Sequence, residues 1–243
     1  MKSFALSALI TVLALGNAHA DVITQWSFNS ITPDGATGTG SALPSVGAGS
    51  LALIGGVTTP GFNSGVGSSD PAASDDSGLQ TTTYGAQGSG DKARGIEVKA
   101  SSVGFENVVF SYDLRHSNTS SRHELAQYSL DGVNFVDYAV FDGGLGDTWF
   151  NARTIDLSSI AGADNNANLA FRVVTTFAPG TSGYLASDAT KTFAGSGTWR
   201  FDMVTVAGTA LPVTPAVPEP SSTVAAFAGL AAIGFLARRR RAA

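Results

Sequence analysis

The chain has 243 residues, 14 Lys and Arg against 19 Asp and Glu, a formal net charge of −5 and no cysteine. The lack of cysteine excludes a disulfide framework and any thiolate metal site. The acidic balance argues against nucleic acid, where neutralisation of phosphate by Lys and Arg dominates affinity. Between Asp21 and Val217 the balance is steeper, nine basic side chains against eighteen acidic ones. Neutral glycans and divalent cations are compatible with such a surface.

Met1-Lys2-Ser3 is a positive start, Phe4 to Leu15 is an apolar run, and Ala18-His19-Ala20 has the small-x-small form of a cleavage site. Residues 1–20 therefore read as a secretory signal peptide cut by signal peptidase after Ala20. The run is shorter than the roughly 20 apolar residues a membrane span needs.

Residues 21–207 read as one all-β cargo domain, since Gly, Thr and short β-branched runs abound and no long helical period appears. The first expected strand is Val22–Asn29, with Trp26 and Phe28 directed to the core. Residues 31–76 are rich in Gly, Ser, Thr and Pro and read as loop, with one short strand at Ser50–Ile54. Strands are expected over Leu79–Tyr84, Gly95–Ala100 and Phe105–Arg115, the last alternating from Val108 to Leu114. Asp131-Gly132, between Glu124–Leu130 and Val133–Val140, signals a two-residue hairpin turn. Thr148–Leu157 is the next strand, and Ser158–Asn168 reads as one helical turn followed by a polar loop. Leu169–Phe177 is a buried strand, Pro179–Gly197 a long loop, and Thr198–Ala207 the final strand. Some nine short strands suit an antiparallel β-sandwich of jelly-roll type, with a simpler sandwich left open.

No catalytic constellation with usable spacing stands out. His116 and His123 flank a turn beside Asp113 and Glu124, which makes a two-His, one-carboxylate metal site conceivable. Arg115 and Arg122 flank the same turn and would repel a cation, and two exposed histidines are the plainer reading. Asp70, Asp75 and Asp76 lie in the loop region, where a calcium contact competes with a merely solvated loop. Trp149 and Phe150 fall on opposite faces of their strand. At least one of them must leave the core, and these two are the candidate glycan contacts. Trp26 and Trp199 read as core.

The C-terminal part holds three devices in order. Residues 208–217 form a Pro-containing linker, in which Pro212 and Pro215 keep the chain extended. Pro218-Glu219-Pro220 follows, then an uncharged helix-competent run from Thr223 to Ala237, then Arg238-Arg239-Arg240-Arg241. As a helix the run would rise about 22 Å, against a hydrocarbon core of about 30 Å. That suits a signal read and removed better than a permanent anchor. The Arg block favours the cytoplasmic side.

Residues 218–241 resemble the PEP-CTERM sorting signal of Gram-negative bacteria that export extracellular polysaccharide. The resemblance implies a transmembrane helix held transiently in the inner membrane and recognition by the membrane enzyme exosortase. Delivery to the envelope, surface or matrix would follow. Residues 109–206 also resemble carbohydrate-binding-module-like sandwiches. The marks are Phe110-Ser111-Tyr112-Asp113-Leu114-Arg115, Gln127-Tyr128-Ser129-Leu130-Asp131-Gly132 and Thr198-Trp199-Arg200-Phe201-Asp202. The expectation is a non-enzymatic structural or adhesion component of exopolysaccharide or biofilm. The alternatives are a glycan-binding module, steadied by calcium, and a hydrolase.

Overall fold

The computed structural model describes residues 20–212. The chain divides into two compact units, Met1–Leu211 and Pro212–Ala243. The expected signal peptide before Ala20 and the sorting tail, with Pro218 to Pro220, Thr223 to Ala237 and Arg238 to Arg241, lie outside the described residues. Among the described residues no helix is long and apolar enough to cross a membrane.

The first unit is all-β, with no helix among the described residues. Its strands are β1 (Asp21–Trp26), β2 (Val46–Gly47), β3 (Ser50–Ile54), β4 (Thr58–Ser64), β5 (Ser77–Thr82) and β6 (Gly95–Lys99). They continue as β7 (Phe105–His116), β8 (His123–Ser129), β9 (Val136–Asp142), β10 (Thr148–Asp156), β11 (Ala170–Thr175) and β12 (Trp199–Ala210). One sheet runs β10-β7-β12-β1-β2, with β5 also pairing β12 and β4 pairing β5. The other runs β3-β6-β11-β8-β9.

Length explains the branch. The first residues of β12, Trp199 to Phe201, pair with β5, and Val204 to Gly208 pair with β1. Two short strands thus lie end to end along one side of a 12-residue strand. On its other side β12 pairs with β7, and the register shifts between Asp202 and Thr205.

The core lies between the sheets. Val108, Phe110, Tyr112 and Leu114 of β7 are fully buried, following the period of two that the sequence displays. Phe110 stacks on Phe171 of the opposite sheet with centroids 4.4 Å apart and planes 6° apart. Trp199 packs on Tyr84 at 4.9 Å, and Trp26 and Phe28 are also buried. Each such side chain contributes about 1.5–3 kcal/mol on leaving water. A smaller cluster of Tyr184, Ala186 and Phe193 packs with Phe177 inside the long loop before β12.

Three expectations need correction. Residues 31–76 are not a loop with one strand, because β2 and β4 also form there. Pro60 and Gly61 disguise β4. A proline is tolerated because β4 is an edge strand, and the register with β5 shifts between Thr58 and Gly61. The hairpin at Asp131-Gly132 exists, since β8 pairs with β9, but its connection spans residues 130–135. Asp131 organises it. Its Oδ1 accepts from the backbone N–H groups of Val133 (2.9 Å) and Asn134 (2.7 Å) and from Ser129 Oγ (2.9 Å). These bonds, that from the Asn134 N–H foremost, hold its carboxyl well below the usual range. The expected helical turn after β10 is instead a run of turns, with Ile160 N–H donating to Leu157 O and Ala163 N–H to Ile160 O.

Candidate functional site

Two surface regions gather polar chemistry, one on each sheet. On the five-stranded sheet, Phe171 faces the core, so Arg172 beside it stands on the outward face. Register places Arg172 opposite Glu97 of β6 and Gln127 of β8, and Gln127 opposite Asp137 of β9. Arg172 donates from Nε and Nη2 to Glu97 Oε2 at 2.8 and 2.6 Å. Gln127 Nε2 donates to Asp137 Oδ1 at 2.7 Å, and Lys92 Nζ meets Asp137 Oδ2 at 2.6 Å. The Arg172 guanidinium lies 3.6 Å from the centroid of the Phe135 ring, a cation–π plate.

The result is a polar line across four strands, about 14 Å long at three strand spacings. Its Arg172 and Asp137 side chains are 30% and 45% exposed, and Gln127 Oε1 has no protein partner. Lys99, 3.3 Å from Glu97, leads from this line to a hollow of about 220 Å³ at the sheet's end, where Asp131 and Asn168 contribute polar groups.

On the seven-stranded sheet, the β4–β5 connection, residues 65–76, folds over β7 and β12. Asp202 and Asp113 stand directly opposite each other on those strands and are both buried. Like charges so placed repel. Asp113 is satisfied by the backbone N–H groups of Ser69 (2.5 Å) and Ala152 (2.7 Å). Asp202 accepts from Ser68 Oγ at 2.8 Å and from the Met203 N–H at 2.7 Å. Asp70, Asp76 and Asp202 each offer an oxygen, and these lie within 4.8 Å of one another. Burial pushes the Asp202 carboxyl up to about 8, with Asp70 and Asp76 adding to it. Burial, then Asp70, also raises Asp76.

The sequence directed attention to Asp70, Asp75 and Asp76. Asp75 turns away and accepts from the Ser30 N–H at 3.2 Å, and Asp202 takes its place in the cluster. Asp202 was visible as the end of Trp-Arg-Phe-Asp, but nothing local tied it to a loop 126 or more residues earlier.

The histidines separate. His116 is fully buried, its Nδ1 2.9 Å from Ser121 O and its Nε2 3.3 Å from Glu124 Oε2. Arg153 Nε approaches Glu124 Oε1 at 3.0 Å, so a cation completes the set. His123 and Glu124 are adjacent in β8 and point to opposite faces, which keeps His123 out of this group. Burial holds the His123 imidazole below its usual value. Arg115 and Arg122 are paired with Asp147 and Asp142 at 2.7 Å each. The His116–Glu124–Arg153 group is a buried clip between the sheets.

Trp149 and Phe150 do fall on opposite faces. The Trp149 indole N–H donates to Val66 O at 3.0 Å, under the β4–β5 connection and half-buried. Phe150 lies against the His116 ring at 5.6 Å, with Arg153 4.7 Å over its centroid. The polar line around Arg172 was not singled out in the sequence. Its members come from four strands and only the register assembles them.

Residues 216–241 match the PEP-CTERM protein-sorting motif. No curated protein matches the chain. Solved structures similar to it include the CBM22-1 xylan-binding domain of Paenibacillus barcinonensis Xyn10C, with 13% identity, a TM-score of 0.45, and 81% of this chain and 100% of that one covered. The CBM22-1–GH10 modules of Clostridium thermocellum xylanase 10B complexed with xylohexaose show 14% identity and a TM-score of 0.44. That match covers 80% of this chain and 30% of the xylanase chain. The K2 cleaved adhesin domain of Lys-gingipain follows at 12% identity and a TM-score of 0.36, with 76% and 96% covered. The described residues form two packed β-sheets, and the chain carries a PEP-CTERM sorting motif at residues 216–241.

Proposed function

We propose that this is an exported, non-enzymatic surface protein of a Gram-negative bacterium. Signal peptidase would cleave after Ala20, and exosortase would sort it through Pro218-Glu219-Pro220 and the helix and Arg block behind them. Its sandwich is a glycan-binding module that holds it in exopolysaccharide or biofilm. The observation that carries the binding reading is the line Glu97–Arg172–Gln127–Asp137, with Phe135 stacked on the guanidinium.

Sugar hydroxyls both donate and accept, so they pair with alternating carboxylate, guanidinium and amide groups. An aromatic ring beside these offers an apolar plate to a sugar face. The acidic surface suits a neutral polysaccharide rather than an acidic one. Trp149 and Phe150 give way to this line: Phe150 faces the Glu124 clip, and the Trp149 N–H is already engaged.

The test is retention of the full-length protein, held in detergent, on immobilised xylan, cellulose and the source bacterium's exopolysaccharide. Retention on one of them that Arg172→Ala weakens supports the reading. No retention on any sinks it, and equal retention of Trp149→Ala and wild type separates the line from the earlier candidate.

A further inference from the structure

We propose that the carboxylates of Asp70, Asp76 and Asp202 hold a divalent cation, calcium by the chemistry of its ligands, which fastens the β4–β5 connection to β12. The first argument is geometric. Two oxygens that share a calcium at about 2.4 Å each can stand at most about 4.8 Å apart. The three carboxylates each present an oxygen within that spacing of the others.

The second argument is an unmet atom. Asp76 is 6% exposed, and its Oδ1 has no hydrogen-bond partner. It is aimed at the cluster. A Cβ added at Gly65 would overlap Asp76 Oδ1 and lie 2.7 Å from Asp202 Oδ2, so both oxygens converge on one spot beside the Gly65 backbone. Two buried carboxylate oxygens directed at one point are costly unless a cation joins them.

The third argument is charge. Among the described residues, the ion pairs of the molecule leave Asp70, Asp76 and Asp202 without a Lys, Arg or His. The remaining bonds fix the carboxylates rather than neutralise them. Asn29 Nδ2 and the Ala72 N–H hold Asp70 at 2.8 Å each, and Ser68 Oγ and the Met203 N–H hold Asp202. Two carboxylates held in place, the buried Asp76 carboxylate between them and a hydroxyl beside them form an all-oxygen site suited to a hard cation. The same connection receives the Trp149 and Asn151 side chains on Val66 O and Gly67 O, at 3.0 Å each. An ion at the cluster would therefore set the half-exposed tryptophan as well. The inference does not depend on the glycan reading, which concerns the other sheet.

The experiment uses the full-length protein in detergent, stripped with EDTA, dialysed and titrated with calcium chloride in a calorimeter. Thermal unfolding and tryptophan emission are followed in parallel. One calcium per chain is expected, and at a hundred times the dissociation constant a rise in Tm of about 5–10 °C. A change in tryptophan emission should accompany it. Asp76→Asn removes one buried like charge, so it should fold in EDTA at least as stably as wild type yet lose the calcium-dependent rise. Absence of binding heat together with an unchanged Tm would overturn the proposal. So would an Asp76→Asn protein that still gains the full rise, and the same rise from magnesium alone would overturn the assignment to calcium.

Discussion

The buried clip at Glu124 allows a prediction with a definite sign. Glu124 comes from β8, while His116 and Arg153 come from β7 and β10 of the other sheet, so this group joins the two layers through charge rather than apolar packing. Glu124 is fully buried and Arg153 is 17% exposed. Replacing Arg153 by Met keeps an unbranched apolar stem against Phe141 and Phe150, whose rings the guanidinium covers at 5.0 and 4.7 Å. It leaves the Glu124 carboxylate with only the His116 imidazole. Removing one partner of a buried pair costs about 3–5 kcal/mol, because the other charge stays desolvated. At about 2–4 °C per kcal/mol for a domain of this size, Tm should fall by about 6–20 °C. Glu124→Gln in the same chain removes the stranded charge. The double variant should then be more stable than Arg153→Met alone, with a coupling of about 1–3 kcal/mol in the cycle. Thermal unfolding of wild type, both single variants and the double variant measures it. Additive losses would refute the claim that the clip is an electrostatic unit.

Three further outcomes follow from the same structure. Tyr112 is fully buried with no hydrogen-bond partner for its hydroxyl, so Tyr112→Phe should leave the unfolding free energy unchanged or raise it by up to the roughly 1–3 kcal/mol an unmet polar group costs; a clear loss of stability in thermal unfolding would contradict this. Gly65→Ala would drive a methyl between Asp76 and Asp202, and the calcium-dependent rise in Tm should disappear in scanning calorimetry. Pro218→Ala with Pro220→Ala should leave the protein in the inner-membrane fraction, whereas unchanged surface delivery would contradict sorting through that motif.

Much of the fold is legible because it is local. The period of two from Val108 to Leu114, and the apolar run of β11, depend on nothing beyond their own residues. The tail is legible for the same reason, three devices in fixed order. β4 was hidden because an edge strand tolerates the Pro60 and Gly61 that punctuate a loop elsewhere. The sites were hidden for a different reason. Arg172 with Glu97 and Gln127, or Asp76 with Asp202, meet through register and loop placement across 45 to 126 residues of chain, and neither residue type nor spacing announces such meetings. His116 and His123 illustrate the converse. Their closeness in sequence makes a shared site conceivable and two exposed rings the plainer reading, but both are buried, His116 joining Glu124 and Arg153 while strand alternation turns His123 away.

The measurement that bears most directly on function is the affinity of the full-length protein for the polysaccharide that retains it, compared with that of Arg172→Ala. The substitution leaves Glu97 paired with Lys99 at 3.3 Å, so the sandwich should keep its Tm. Loss of a hydrogen bond from a charged group, about 1.5–3 kcal/mol, predicts an affinity about 10- to 150-fold weaker. An Arg172→Ala protein that folds and binds as tightly as wild type would contradict a glycan site on this face.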